Sequence, residues 1–272
     1  KDARNNDYEQ DLATGKTPAN PNYDPNSNAG RPAGYQIPDK YLNWDGTDTD
    51  WLDLIFSPAA MQNYDFSVSG GSDKTRYFLS AGYLSQEGVL EGSAFDRYSV
   101  KLNLTQNVND KFTIGTTINA ALTQHDRLPA NAPYFGSPPG IVYSAMVQSP
   151  VIKPYNADGT INQLDNQSYL GGNTTSASNP LAIMKYISED IQNNRIFGNL
   201  HGNYEFTKNL TFKSMVGYDL NNFKQSFYRG TKFLYRTQTE PQPYAQSSSG
   251  DSFNWVWENT LNFTQTLAED HD

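Results

Sequence analysis

Two groups of segments alternate apolar and polar residues with period two. Tyr64, Phe66 and Val68 alternate with Asn63, Asp65, Ser67 and Ser69, and Tyr77, Leu79, Ala81 and Tyr83 follow the Gly70-Gly71-Ser72-Asp73 turn. Tyr98, Val100, Leu102 and Leu104 then face away from Ser99, Lys101, Asn103 and Thr105, and Phe112, Ile114, Thr116, Ile118 and Ala120 complete the group. Later, Ile196, Leu200, Tyr204 and Phe206 alternate with Arg195, Asn199, His201, Asn203 and Glu205. Phe212, Val216, Tyr218 and Leu220 come next, then Phe253, Trp255, Trp257, Leu261 and Phe263. Such alternation predicts half-buried strands. Seven are expected, each of about ten residues.

The prolines punctuate this pattern. Six of the 15 lie from Pro18 to Pro58, seven from Pro129 to Pro180, and the last are Pro241 and Pro243. Proline removes a ladder donor, so it marks the loops. The expected organisation is a loop region over 1–61, read as irregular, and a four-strand segment over 62–125. A long loop follows over 126–192, then a three-strand segment over 193–272 with one long loop. Asn179-Pro180 before Leu181-Ala182-Ile183-Met184 reads as an N-cap and first helical position. The start at Lys1, without Met or leader, reads as a processed chain or a piece of something larger, and Ala268 to Asp272 as another tight turn.

Connections alternate in length. Those near 71–74, 107–111 and 207–209 are short; those near 86–93, 125–192 and 224–250 are long. Transmembrane β-barrels combine this alternation with tilted strands of about 9–11 residues, one apolar face and aromatics at the interfaces. Tyr64, Tyr77, Tyr98, Phe112, Tyr204, Phe206 and Phe212 suit that last place. The fold expected is all-β: an antiparallel transmembrane β-barrel portion, about seven strands of a larger barrel, with long extracellular loops. A soluble extracellular β-sandwich binding glycan through Tyr and Trp also fits alternation.

Composition narrows the functions. The 272 residues carry 20 Lys+Arg against 29 Asp+Glu, a formal charge of −9 with pI near 4.8. Nucleic acid demands the opposite sign. With no Cys, disulfides, thiolate zinc sites and a Cys nucleophile are excluded. Mean hydropathy is −0.70 while aromatics reach 13%, a combination foreign to disordered chains.

Catalytic constellations are missing. His125, His201 and His271 have no metal-ligand spacing, so no metal or cofactor is expected. Asp45, Asp48, Asp50 and Asp53 lack the ligand series of a calcium loop and read as a solvated turn. Glu189-Asp190 has no placed carboxylate partner, and there is no nucleophile elbow or phosphate loop. The candidates for substrate contact are the aromatics of the longest loop: Tyr134, Phe135, Tyr143, Tyr155 and Tyr169. Loops carry specificity on a rigid scaffold, and aromatic faces stack on sugars. Packing within the loop, or against a lid, is the competing role.

The stretch Thr49 to Gly115 closely resembles the early barrel of SusC/RagA-type TonB-dependent transporters of Bacteroidota. The resemblance is carried by Asp50-Trp51, Gln62-Asn63, SVSGGS at 67–72, Lys74-Thr75, QEG at 86–88 and GSAFDR at 92–97. It continues through SPVIKPYNADGT at 149–160, NPLA at 179–182 and WENTLNF at 257–263. The family's plug, TonB box and most of its barrel of about 22 strands have no counterpart here. The resemblance implies a non-enzymatic part of an importer of glycans or peptides across the outer membrane. It further implies a SusD-like surface lipoprotein over the mouth and a TonB complex acting through a missing N-terminal region. The implied surroundings are outer-membrane lipid, and the implied substrate an oligosaccharide or peptide.

Overall fold

The computed structural model describes residues 2–37, 42, 45–130, 140–163, 178–234 and 240–265. Seven strands form one antiparallel sheet in chain order: β1 Met61–Gly71, β2 Thr75–Glu87, β3 Ala94–Asn109, β4 Phe112–Arg127, β5 Ile187–Thr207, β6 Leu210–Arg229 and β7 Tyr244–Phe263. Each strand pairs with its sequence neighbours, and β1 and β7 each pair on one side only. The described residues hold no second sheet, so the β-sandwich alternative fails: its inner face would need one.

Turn chemistry sets the hairpins. Ser72 N–H donates to the Thr75 carbonyl at 2.7 Å, while the Ser72 hydroxyl accepts from Lys74 and Thr75 N–H. A Cβ on Gly71 would stand 2.5 Å from the Thr75 carbonyl oxygen, so this tight turn needs glycine. Asn109 Oδ1 accepts from Lys111 and Phe112 N–H, both at 2.9 Å, beside a bulge.

The strands outrun the expected ten residues: β5 has 21, β6 and β7 have 20 each. The additional lengths, such as 187–194 and 244–252, are mostly polar, and their few apolar residues (Ile187, Ile191, Tyr244, Ala245) do not repeat every second position, so they carry no period-two signal. A backbone ladder needs no apolar alternation, and the gap between Pro180 and Pro241 was the available clue.

Two helices flank or interrupt the longest connection: α2, Ile141–Val147, and α3, Pro180–Tyr186. The Asn179 side chain caps α3, accepting from Leu181 N–H at 2.9 Å as its sequence position predicts. Residues before β1 correct the irregular reading: α1 spans Asp2–Ala13 and a 3₁₀ turn Ala33–Tyr35. The helix lacks an apolar stripe. Instead Tyr8 is fully buried against the rings of Tyr23 and Tyr35, at 4.6 and 5.3 Å between centroids. Arg31 closes this small unit through the carbonyls of Ser27, Pro25 and Tyr35.

The hydrophobic core lies outside the sheet. Trp51, Ile55, Leu90, Ile141, Ala145, Ile152, Ile161, Ala182, Ile183 and Phe233 come from the segment before β1 and from the long connections; only Ile187 opens a strand. All three long connections leave the same end of the sheet, and there the core forms a cap. The strands themselves bury little: every residue of β1 and β7 is exposed.

Candidate functional site

Register sorts the side chains into two unlike faces. One row on the first face reads Phe66, Ala81, Val100, Ala120, Ile196, Leu220 and Phe253 across all seven strands. Large apolar side chains here are open to the surroundings, Phe66 by 70% and Trp255 by 65%. In β5, β6 and β7 the apolar stretch runs from Ile196 to Phe206, Leu210 to Leu220 and Phe253 to Phe263. At about 3.3 Å per residue and a tilt of about 40°, that is a belt roughly 25 Å tall. Beyond it the same face turns polar, in the row Gln62, Ser85, Asp96, Gln124, Gln192, Lys224 and Ser249.

Aromatics mark both margins. On the cap side Tyr64, Tyr83 and Tyr98 stack, with centroids 6.4 and 4.8 Å apart. On the turn side Phe112 meets Tyr204 at 6.4 Å, Tyr204 meets Phe206 edge-on at 4.9 Å, and Phe212 pairs with Tyr204 across the strands. Tyr83 escaped the sequence list because only register places it between the other two.

The opposite face is polar. One row reads Ser67, Ser80, Lys101, Asn119, Phe197, Asp219 and Asn254. Arg195 grips Asp219 with two charge-assisted bonds, Nε to Oδ1 at 2.9 Å and an Nη to Oδ2 at 2.7 Å, and its guanidinium lies 5.0 Å from the Phe197 ring centroid. His201 lies over Gly115, where an added Cβ would come within 2.5 Å of the imidazole. A cleft of about 480 Å³ runs along this face beside Phe197, Gly217 and Val256.

In the cap, the segment before β1 clasps the longest connection. Thr49 N–H donates to the Pro150 carbonyl at 2.7 Å and its hydroxyl to the Ile152 carbonyl at 2.8 Å. Lys153 pairs with Asp45 at 2.5 Å, holding the Asp45 carboxyl well below the usual carboxylate range with help from Thr47. Asp50 instead accepts from Leu52 and Asp53 N–H. Asp45 and Asp50 thus serve the chain itself, and among the described residues no group of three His or acidic side chains is placed to hold a metal.

Of the five loop aromatics, Tyr143 sits half-buried on α2. Tyr155 is exposed, in a tight loop closed by its bridge to Ile161 and by Asp158, whose carboxyl is lowered by bonds from Thr160. Tyr134, Phe135 and Tyr169 lie outside the described residues. Asn179 was missed as a clamp: besides capping α3, its fully buried amide donates to the carbonyls of Asn162 and Pro154, at 2.8 and 3.1 Å.

No family model matches the chain. It is 26% identical over 227 residues to TonB-dependent receptor P3 of Formosa agariphila, covering 82% of this chain and 20% of that protein. TonB-dependent receptor SusC of Bacteroides thetaiotaomicron is 26% identical over 176 residues, 58% of this chain and 17% of the receptor. The solved RagAB peptide importer in its open-open state superposes with TM-score 0.65 at 25% identity, over 82% of this chain and 24% of that one.

The chain is similar to one stretch of a SusC-type TonB-dependent receptor.

It spans about a fifth of the length of the curated relatives it matches. The seven strands match part of the barrel fold of the RagAB importer, and among the described residues their sheet is open. No described helix is long and apolar enough to cross a membrane.

Proposed function

We propose that this chain is wall and rim of a TonB-dependent transporter in the outer membrane, without catalysis of its own. The observation that carries the reading is the belt: apolar side chains exposed over roughly 25 Å, bounded by aromatics on both sides, and backed by a polar face. In water such a belt would be a liability; in a bilayer it is the outer surface of the barrel. The short turns then face the periplasm, and the cap stands on the extracellular side. The polar face lines the lumen, where Arg195, Asp219 and the Asn side chains keep a hydrated wall.

In this reading the substrate is an oligosaccharide or a peptide, and a SusD-like surface lipoprotein covers the cap. Energy comes from a TonB complex engaging a region beyond these residues. Tyr143 and Tyr155, with Tyr134, Phe135 and Tyr169, are the contacts proposed for the substrate. The test is fractionation of the source cells followed by electrophoresis with and without boiling. The full-length protein is expected in the outer-membrane fraction with heat-modifiable mobility. Recovery in the soluble fraction without detergent would overturn the reading.

A further inference from the structure

The polar face has an apolar break that a hydrated wall does not need. Phe197 and Val256 stand there with 42% and 45% of their surface open. Asn119, Phe197, Asp219 and Asn254 form one row across β4 to β7, and Thr117, Asn199, Gly217 and Val256 form the next. Phe197 and Val256 are therefore diagonal to each other, two strands and one row apart, and Asn199 and Asn254 hold the crossing diagonal. Between them Gly217 has no side chain, and Val256 leans over it, 2.9 Å from where a Cβ would sit. These residues line the cleft of about 480 Å³. Arg195 lies over the Phe197 ring yet does not line the cleft, so the cleft meets the other face of the ring.

The lining selects its ligand. Asp219 is the one charged residue in it, and Arg195 neutralises that carboxylate. Among the described residues the side chains of Asn119 and Asn254 have no hydrogen-bond partner. Asn199 turns its oxygen to His201 at 3.2 Å and keeps its amide N–H groups. A carboxamide donates and accepts at once. The cleft thus matches an uncharged group with a flat face of C–H bonds and a rim of groups that also donate and accept, which is a pyranose with its hydroxyls. A peptide backbone would satisfy the amides but brings no such face for Phe197, and an acidic sugar would find no unpaired cation in the lining. On the transporter reading, on which this inference rests, the cleft faces the lumen at the cap-side margin of the belt, apart from the cap that carries Tyr143 and Tyr155. We propose that it is a separate substrate site, holding one neutral sugar ring on Phe197 with Asn119, Asn199 and Asn254 at its hydroxyls.

The full-length protein, in a detergent without a sugar head, tests this on an array of neutral oligosaccharides, uronate-bearing oligosaccharides and short peptides. Neutral oligosaccharides should bind. Phe197→Leu keeps the bulk and loses the flat ring, and should weaken that binding about tenfold, the upper range for an aromatic contact. Asn254→Ala should weaken it about fivefold, as one lost hydrogen bond does. Phe223→Leu, on the same face but outside the cleft, should leave it unchanged. Equal binding by the wild type and both cleft variants would overturn the site, and so would a preference for peptides or uronates, or no glycan binding at all. Heat-modifiable mobility is read on every sample. Its loss in Phe197→Leu with binding retained would also overturn the site, as the mark of a ring covered by another part of the chain. A wild type that lacks it counts against the barrel reading itself; its presence throughout with unchanged binding counts against the cleft alone.

Discussion

Trp51 donates its indole N–H to the carbonyl of Ser149 at 3.0 Å, across 98 residues of chain. The ring is 3% exposed and belongs to the cap core. Trp51→Ala removes the bond and leaves a cavity, a loss of about 3–5 kcal/mol. Trp51→Phe keeps most of the packing and strands one carbonyl, costing about 1–3 kcal/mol. Limited proteolysis of the full-length protein in detergent should show faster cleavage within 49–60 and 149–163, in the order alanine, phenylalanine, wild type. Equal rates would mean the clasp does not hold the cap.

Asn179 serves three partners from one side chain. Loss of an N-cap costs about 1 kcal/mol, and two abandoned buried carbonyls add to it, so Asn179→Ala should cost about 2–3 kcal/mol locally. Asn179→Asp keeps the cap and loses both donations. Hydrogen exchange of α3 amides should rise in both variants, more in alanine; an aspartate variant matching wild type would show that the amide clamp contributes nothing.

The Asp45–Lys153 pair makes the clasp pH-dependent in one direction. Its folded-state carboxyl titrates below the ordinary aspartate value. The contribution is therefore complete above the unfolded value of about 3.9 and disappears only as pH falls through the folded value. Protease sensitivity of 45–60 should stay flat from neutral pH to about 4 and then rise. In Lys153→Ala sensitivity should be higher already at neutral pH and its rise below about pH 4 smaller, because the carboxyl returns toward its ordinary range and little folded-state shift remains to be lost.

Gly198 is pressed against the next strand. A Cβ there would lie 2.0 Å from the Thr117 carbonyl oxygen, whereas one on Gly34 would meet nothing within 4 Å. Gly198→Ala should cost at least about 3 kcal/mol, the upper range for overpacking, and Gly34→Ala almost nothing. The yield of heat-modifiable barrel measures both; a normal yield from Gly198→Ala would mean that β4 and β5 part easily.

How far the sequence could be read follows from which contacts are periodic. The belt was legible because a face against hydrocarbon must repeat every second residue, as Phe253, Trp255 and Trp257 do. The strand ends were not, because around Asp190 and Gln192 the apolar residues Ile187 and Ile191 are interrupted by Glu189 and do not repeat every second position. The helix α3 was announced by Asn179-Pro180, whereas α2, with Ser144 amid apolar residues, and α1, anchored by Tyr8 and by the bond Asp11 accepts from Tyr35, have no pattern to find. The cap was invisible for another reason. Trp51 meets Ser149, and Asn179 meets Asn162, through bonds that no local spacing encodes. For the loop aromatics, sequence supplied the residue type and the structure a location for Tyr143 and Tyr155 only.

The cap draws a contribution from the segment before β1, from each of the three long connections, and from the first residue of β5. No contributor before Phe233 completes it, so the cap consolidates only after six strands have been laid side by side. A slip of one pair between β4 and β5 would turn the belt residues of β5 to the other face and pull Ile187 from its seat. Packing of the cap and register of the wall are therefore tied together: a wrong pairing would cost the cap Ile187 as well as the belt its face.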